Sequence, residues 1–316
     1  MKNKKRKVTT RYAKSEFDFV GLVLLLYALC VAYVPFALLQ YANATSANHP
    51  NLNSPLIRVA YLYLIVTVGT YIPFTILKIH SKIKSKDIWA KCSFSMSDIL
   101  VNTIVFSAIG ILLIFLMSIF NSYLGIGNGV VIPIGLPVND VLLKEPIFLF
   151  LCIVATPILE EFAFRGVLLK SLGRFGYYFA MFASSTIFAV FHGSLSQMLP
   201  SFALGIFLSQ ITLRYRSIQP AVIIHILYQA VIYGIELIPE QYFVLASGII
   251  FVIYLVTLLL LMSHRFKFAK IHKRSNAHFV SRLFYSRFVI IFVITIMLIF
   301  AFLNTSTFAR LILPIN

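Results

Sequence analysis

Apolar stretches of about 20 residues recur along the chain, the length that about 30 Å of hydrocarbon demands of a helix. They lie at roughly 19–39, 57–77, 98–120, 146–169, 177–193, 200–213, 219–237, 242–262 and 288–308. Such a pattern leaves few folds open, because inside lipid every backbone N–H and C=O must be satisfied within its own segment, and runs of this length then become helices. Composition points the same way. With 60% hydrophobic residues, 30 Phe and only 12% charged residues over 316 positions, polar side chains are too few to cover a soluble core. The expected fold class is therefore all-α: a polytopic integral membrane helix bundle of about eight to nine transmembrane helices, with 1–316 forming a single membrane domain.

The chain carries 27 Lys plus Arg against 10 Asp plus Glu, a balance that in a soluble domain suggests nucleic acid. Its placement says otherwise. Basic residues gather on alternate loops: Lys2 to Lys14, Lys78 to Lys91, Lys170 with Arg174, Arg214 with Arg216, and Arg265 to Arg287. The intervening loops hold only Arg58, Lys144 and Arg310. By the positive-inside rule the N-terminus is cytoplasmic, and the net charge of +17 records topology and attraction to anionic membrane lipid rather than nucleic-acid binding. The first apolar run exceeds the roughly 7–15 residues of a signal-peptide core, so it reads as an uncleaved anchor even though YANATSA follows it. Cys30, Cys92 and Cys152 form neither a disulfide framework nor a zinc-type spacing. A multi-pass protein of the cell membrane is expected.

Against this background the stretch PILEEFAFRG at 157–166 is anomalous, because it sets Glu160, Glu161 and Arg165 inside a span. An ionised side chain at mid-membrane costs about 2.5–3.5 kcal/mol on insertion scales, so three within six residues need partners or a wet cavity. On a helix Glu161 and Arg165 are i and i+4 and share a face, which suits an ion pair. Glu160 sits about 100° away and is left over. Pro157 just upstream is expected to kink the span and loosen its hydrogen-bond ladder.

Two further strongly polar sites lie within spans. FAVFH places His192 four residues after Phe188, and HILYQ places His225 and Gln229 on one helix face. At about 1.5 Å rise per residue, Glu160, His192 and Gln229 lie roughly 20–24 Å from the basic inner surface. They are thus expected at similar depth on three spans. One transmembrane histidine is readily explained as an interhelical hydrogen bonder. One glutamate without an ion-pair partner and two histidines at comparable depth point instead to a functional site.

Taken in order, EEFAFR (Glu160, Glu161, Arg165), FAVFH (Phe188, His192) and HILYQ (His225, Gln229) resemble the CPBP family. That family comprises CAAX prenyl-protein endopeptidases and the bacterial Abi proteins linked to bacteriocin processing or self-immunity. Its pattern is EExxxR, FxxxH and HxxxN on successive helices. The resemblance covers roughly 145–237, the expected catalytic helices, and departs at Gln229, where the family has Asn and this chain keeps the amide donor on a longer arm.

The resemblance implies an intramembrane endopeptidase acting on a membrane-associated peptide or protein. Glu160 would be the general base and His192 its partner in activating water, while His225 and Gln229 would be the oxyanion donors. Glu161 and Arg165 would orient Glu160, and Ser201, Gly205 and Ser209 would let their span pack closely behind the site. Family members are often labelled metalloproteases. HExxH is absent here, so metal-free glutamate catalysis is favoured, with zinc the possible cofactor and Glu160, His192 and His225 its ligands if a metal binds. Short loops and compact size look bacterial, which favours a bacterial leader or bacteriocin-type substrate over a CAAX-like one. The competing class is a non-catalytic immunity or signalling partner that binds a peptide or sensor kinase, and a transporter is disfavoured by the lack of an obvious two-fold repeat.

Overall fold

The computed structural model describes residues 10–34, 55–123, 146–192 and 195–263. The predicted span at 288–308, the basic stretch Arg265 to Arg287 and most of the basic head lie outside the described residues. Within them the secondary structure is helical throughout, as the apolar runs require. Helix α1 is Thr10–Ala28, extended by a π-helical turn Leu29–Tyr33; α2 is Pro55–His80; α3 is the short Ser85–Ile88; α4 is Met96–Tyr123. A composite helix α5 spans Pro146–Gly173, followed by α6 at Tyr177–Val190, α7 at Leu195–Tyr215, α8 at Gln219–Glu236 and α9 at Glu240–Ser263.

Three helical stretches among the described residues are long and apolar enough to cross a membrane, at Tyr63–His80, Met96–Met117 and Pro146–Gly173, with shorter apolar helices at Tyr177–Val190, Gln219–Ile235 and Gly248–Thr257. Large apolar side chains face outward along α2, α4 and α9, among them Leu64, Ile72, Phe115, Leu116, Leu245 and Val252. Such a surface is unfavourable in water and suits lipid, which marks the chain as a membrane protein.

Two helices begin earlier than their apolar runs predict. Helix α1 starts at Thr10 rather than near 19, because its polar positions find partners across the bundle: Glu16 meets Arg174 at 3.1 Å and His80 at 3.4 Å. Arg174 also donates to the Tyr12 hydroxyl at 2.8 Å, so the end of α5 is clasped to the start of α1. Helix α7 starts at Leu195 rather than at 200 and carries Pro200 inside it.

Helix α5 is the central element, and it is irregular. Regular α-helix at Thr156–Glu160 is flanked by π-helical segments at Leu151–Ala155 and Glu161–Leu168. Pro157 has no N–H to give the ladder, and the Thr156 hydroxyl donates to the Leu151 carbonyl at 3.1 Å, five residues back. The expected disturbance at Pro157 is therefore a pair of widened turns around the glutamates, a feature often found at functional sites. The chain then reverses at Gly176, whose φ of 136° only glycine adopts without strain.

Packing around α5 is aromatic and close. Tyr27 of α1, Phe74 of α2, Phe164 of α5 and Phe191 after α6 form one cluster with ring centroids 4.4–6.3 Å apart. Helices α6 and α7 approach at Gly205, where a Cβ would stand 2.7 Å from Ser185 Cβ; Ser209, one turn on, is fully buried. Small residues at this seam replace a hydrophobic driving force, which lipid does not supply.

Candidate active site

Glu160 ends the regular turn of α5 and Glu161 opens the π segment, so the two neighbours leave the helix in different directions. The Glu161 and Arg165 side chains are both wholly buried, and Arg165 Nη1 donates to Glu161 Oε1 at 2.7 Å. The guanidinium lies 4.2 Å from the Phe188 ring centroid, a cation–π contact that helps hold a charge where no water reaches it. The i, i+4 pair expected from the sequence is present.

His225 on α8 joins this pair from 64 positions away. Its Nδ1 lies 2.9 Å from Glu161 Oε1, the oxygen that also accepts from Arg165. A carboxylate between two donors can only accept, so Nδ1 carries the hydrogen. Nε2 of the same ring then faces Glu160 Oε2 at 3.7 Å, and both atoms are buried without a hydrogen-bond partner among the described residues. His225 therefore touches both glutamates.

His192 sits just beyond the end of α6. Its Nδ1 is 2.9 Å from the Phe188 carbonyl, which also can only accept, so on the neutral ring Nε2 keeps its lone pair. Phe188, 1% exposed, is the hub of the arrangement: its ring meets His192 edge-on at 4.7 Å and His225 at 6.2 Å, besides Arg165. The FxxxH spacing thus serves one purpose locally, since the aromatic four residues back supplies both the carbonyl that orients the histidine and the ring that buries it.

Glu160, His192 and Gln229 line one cavity of about 150 Å³. These are the three residues that helix rise puts at similar depth. His225, at 1% exposure, is packed behind them and reaches the site through the two glutamates. The cavity is completed by residues outside the three catalytic motifs, among them Ser201, which its spacing marks only as a packing residue. Tyr27 comes from α1, Tyr63 and Thr70 from α2, and Gln197 and Ser201 from the first turns of α7. Gln197 follows His192 by only five positions, which is the one signal for it in the sequence; Tyr27 and Tyr63 have none, because pairing of α1 and α2 with α5 is not written in any spacing.

For zinc the residues present do not fit. Among the described residues no three His, Cys, Asp or Glu side chains gather into a group able to hold a metal ion. Glu161, held by Arg165 and His225, is committed to the protein. Cys30, Cys92 and Cys152 form no disulfide among the described residues.

No curated protein and no solved structure matches the chain. The matched segment instead holds the glutamate pair, both histidines and Gln229: residues 142–231 fit the model of the Rce1-like family, described as type II CAAX prenyl endopeptidase Rce1-like, a protease family, consistent with a CPBP family protease.

Proposed function

We propose that the protein is an intramembrane endopeptidase that cleaves a membrane-associated peptide or protein by glutamate-activated water, without a metal. The observation that carries this reading is the single cavity lined by Glu160, His192 and Gln229, with His225 in contact with both glutamates behind it. In this mechanism Glu160 takes a proton from a water held between it and His192 Nε2, and the resulting hydroxide attacks the scissile carbonyl carbon. The oxyanion that forms accepts from the Gln229 amide and from His225 Nε2 once that nitrogen also carries a proton, the Nδ1–H being given to Glu161. Collapse breaks the C–N bond, and Glu160 returns its proton to the leaving amine.

The proposal extends to topology and place. The chain spans the bacterial plasma membrane about nine times with a cytoplasmic N-terminus, on the alternation of basic loops. Its substrate is a bacterial leader, a bacteriocin-type precursor or a CAAX-like peptide. Comparative peptidomics of membranes carrying wild type and Glu160→Ala tests the reading, with a peptide left uncut only in the variant as the expected result. One observation favours a second reading, a non-catalytic immunity or signalling partner: Gln229 stands where the CPBP pattern has Asn. A Glu160→Gln strain that keeps the full phenotype of wild type, where a deletion loses it, would establish that alternative.

A further inference from the structure

The cavity wall holds polar atoms that the proposed chemistry does not use, the Tyr63 hydroxyl and the side-chain oxygen of Gln197 among them, and of these two only the Gln197 oxygen is a pure acceptor. Gln197, in the first turn of α7, lines the cavity together with Glu160, His192 and Gln229. Its Oε1 is buried and has no hydrogen-bond partner among the described residues. Withholding a carbonyl oxygen from water without a replacement donor is costly, so such an atom is accounted for when a ligand supplies the donor. By contrast, the Oε1 of Gln219, on α8, receives the Cys92 thiol at 3.8 Å. The neighbouring hydroxyls in the wall are already committed: Thr70 donates to the Val66 carbonyl at 2.7 Å and Thr156 to the Leu151 carbonyl at 3.1 Å.

An extended peptide presents N–H donors and C=O acceptors alternately along its length. Gln229 and His225 address the acceptor side of the scissile amide, and Glu160 and His192 address the water. None of the four is left to receive a substrate N–H. Gln197 Oε1 is a carbonyl acceptor in the wall without a task, and unlike the unpartnered Tyr63 hydroxyl it can only accept; it stands on a different helix from all four.

Resting on the endopeptidase reading, we propose that Gln197 is a substrate-binding residue whose side-chain carbonyl accepts one backbone N–H of an extended peptide beside the scissile bond. It follows that the substrate is recognised partly through its main chain, in unfolded form, and that a proline is excluded at the position facing Gln197.

The test uses the full chain purified in detergent micelles and a library of internally quenched fluorogenic decapeptides, from which a cleaved sequence is taken. Esters replacing single amides of that peptide remove one N–H at a time. One ester position near the cleavage site is expected to raise KM about tenfold in wild type, the size of one such hydrogen bond. Gln197→Ala is expected to raise KM for the all-amide peptide by a similar factor with kcat little changed, and to make that ester position silent. Gln197→Met, of similar volume and without the acceptor, gives the same result if the alanine variant folds poorly, with thermal melting read for both. Wild-type KM in both variants, a fall in kcat at constant KM, or an ester effect that persists undiminished overturns the role of Gln197 while the protease reading stands. If the wild type cleaves neither the library nor any membrane peptide, the protease reading fails and takes this inference with it.

Discussion

His225 on α8 and Glu161 on α5 are joined by a 2.9 Å hydrogen bond made wholly inside the protein, and the oxygen that accepts it is also the one bound by Arg165 at 2.7 Å. The glutamate that the family pattern pairs with arginine is thus the anchor of a histidine on another helix. Buried ionic groups are expensive to expose singly, so this triad ties the position of α8 to that of α5.

Stability and activity should therefore part company in variants of the pair. Arg165→Leu leaves Glu161 buried without its cation and is expected to cost about 3–5 kcal/mol, read as a lower melting temperature in detergent. The double variant Glu161→Leu with Arg165→Met removes both charges and is expected to recover most of that loss. It remains inactive, because His225 Nδ1 then has no acceptor to orient it. Recovery of cleavage in the double variant would show that the triad serves folding only.

Residues on the cavity wall should behave in the opposite way. Glu160→Ala and His192→Ala are expected to abolish cleavage while the protein accumulates and melts as wild type does. Gln229→Ala is expected to lower kcat by about 100- to 1,000-fold, the usual effect of removing one oxyanion donor. Gln229→Asn, which shortens the arm but keeps the amide, should stay within about tenfold of wild type on the same ground. Cleavage retained by Glu160→Ala would rule out the proposed base.

The seam between α6 and α7 offers a purely structural check. Gly205→Ala places a methyl group 2.7 Å from Ser185 Cβ and should destabilise by about 1–3 kcal/mol through overpacking. Gly234→Ala on α8 meets nothing within 4 Å and should be neutral or stabilising by up to about 1 kcal/mol from helix propensity. Melting of the two variants side by side separates close packing from a general intolerance of substitution.

Metal dependence is checked directly by a strong chelator. Activity of the purified protein is expected to survive treatment with 1,10-phenanthroline, because no three metal-ligating side chains gather among the described residues. Loss of activity that zinc restores would replace glutamate catalysis with a metal mechanism.

The amino-acid sequence by itself determined that the chain is a helical membrane protein, because only helices satisfy a backbone in lipid over runs of this length and hydrophobicity. It also determined which residues are costly enough to need a purpose: Glu160, Glu161, Arg165, His192, His225 and Gln229 stand out from an apolar background, and the i, i+4 spacing of Glu161 and Arg165 is a local property of any helix. What lies beyond one helix was decided by tertiary structure. Periodicity assigns a residue to a face but not to the neighbour that face meets, so the grip of His225 on both glutamates, the entry of Tyr27 and Tyr63 into the cavity wall and the unengaged oxygen of Gln197 depend on how the helices pack. The same holds for the start of α1. Glu16 in its second turn looks unsuited to a membrane helix until Arg174 and His80, more than 60 residues away, supply the opposing groups.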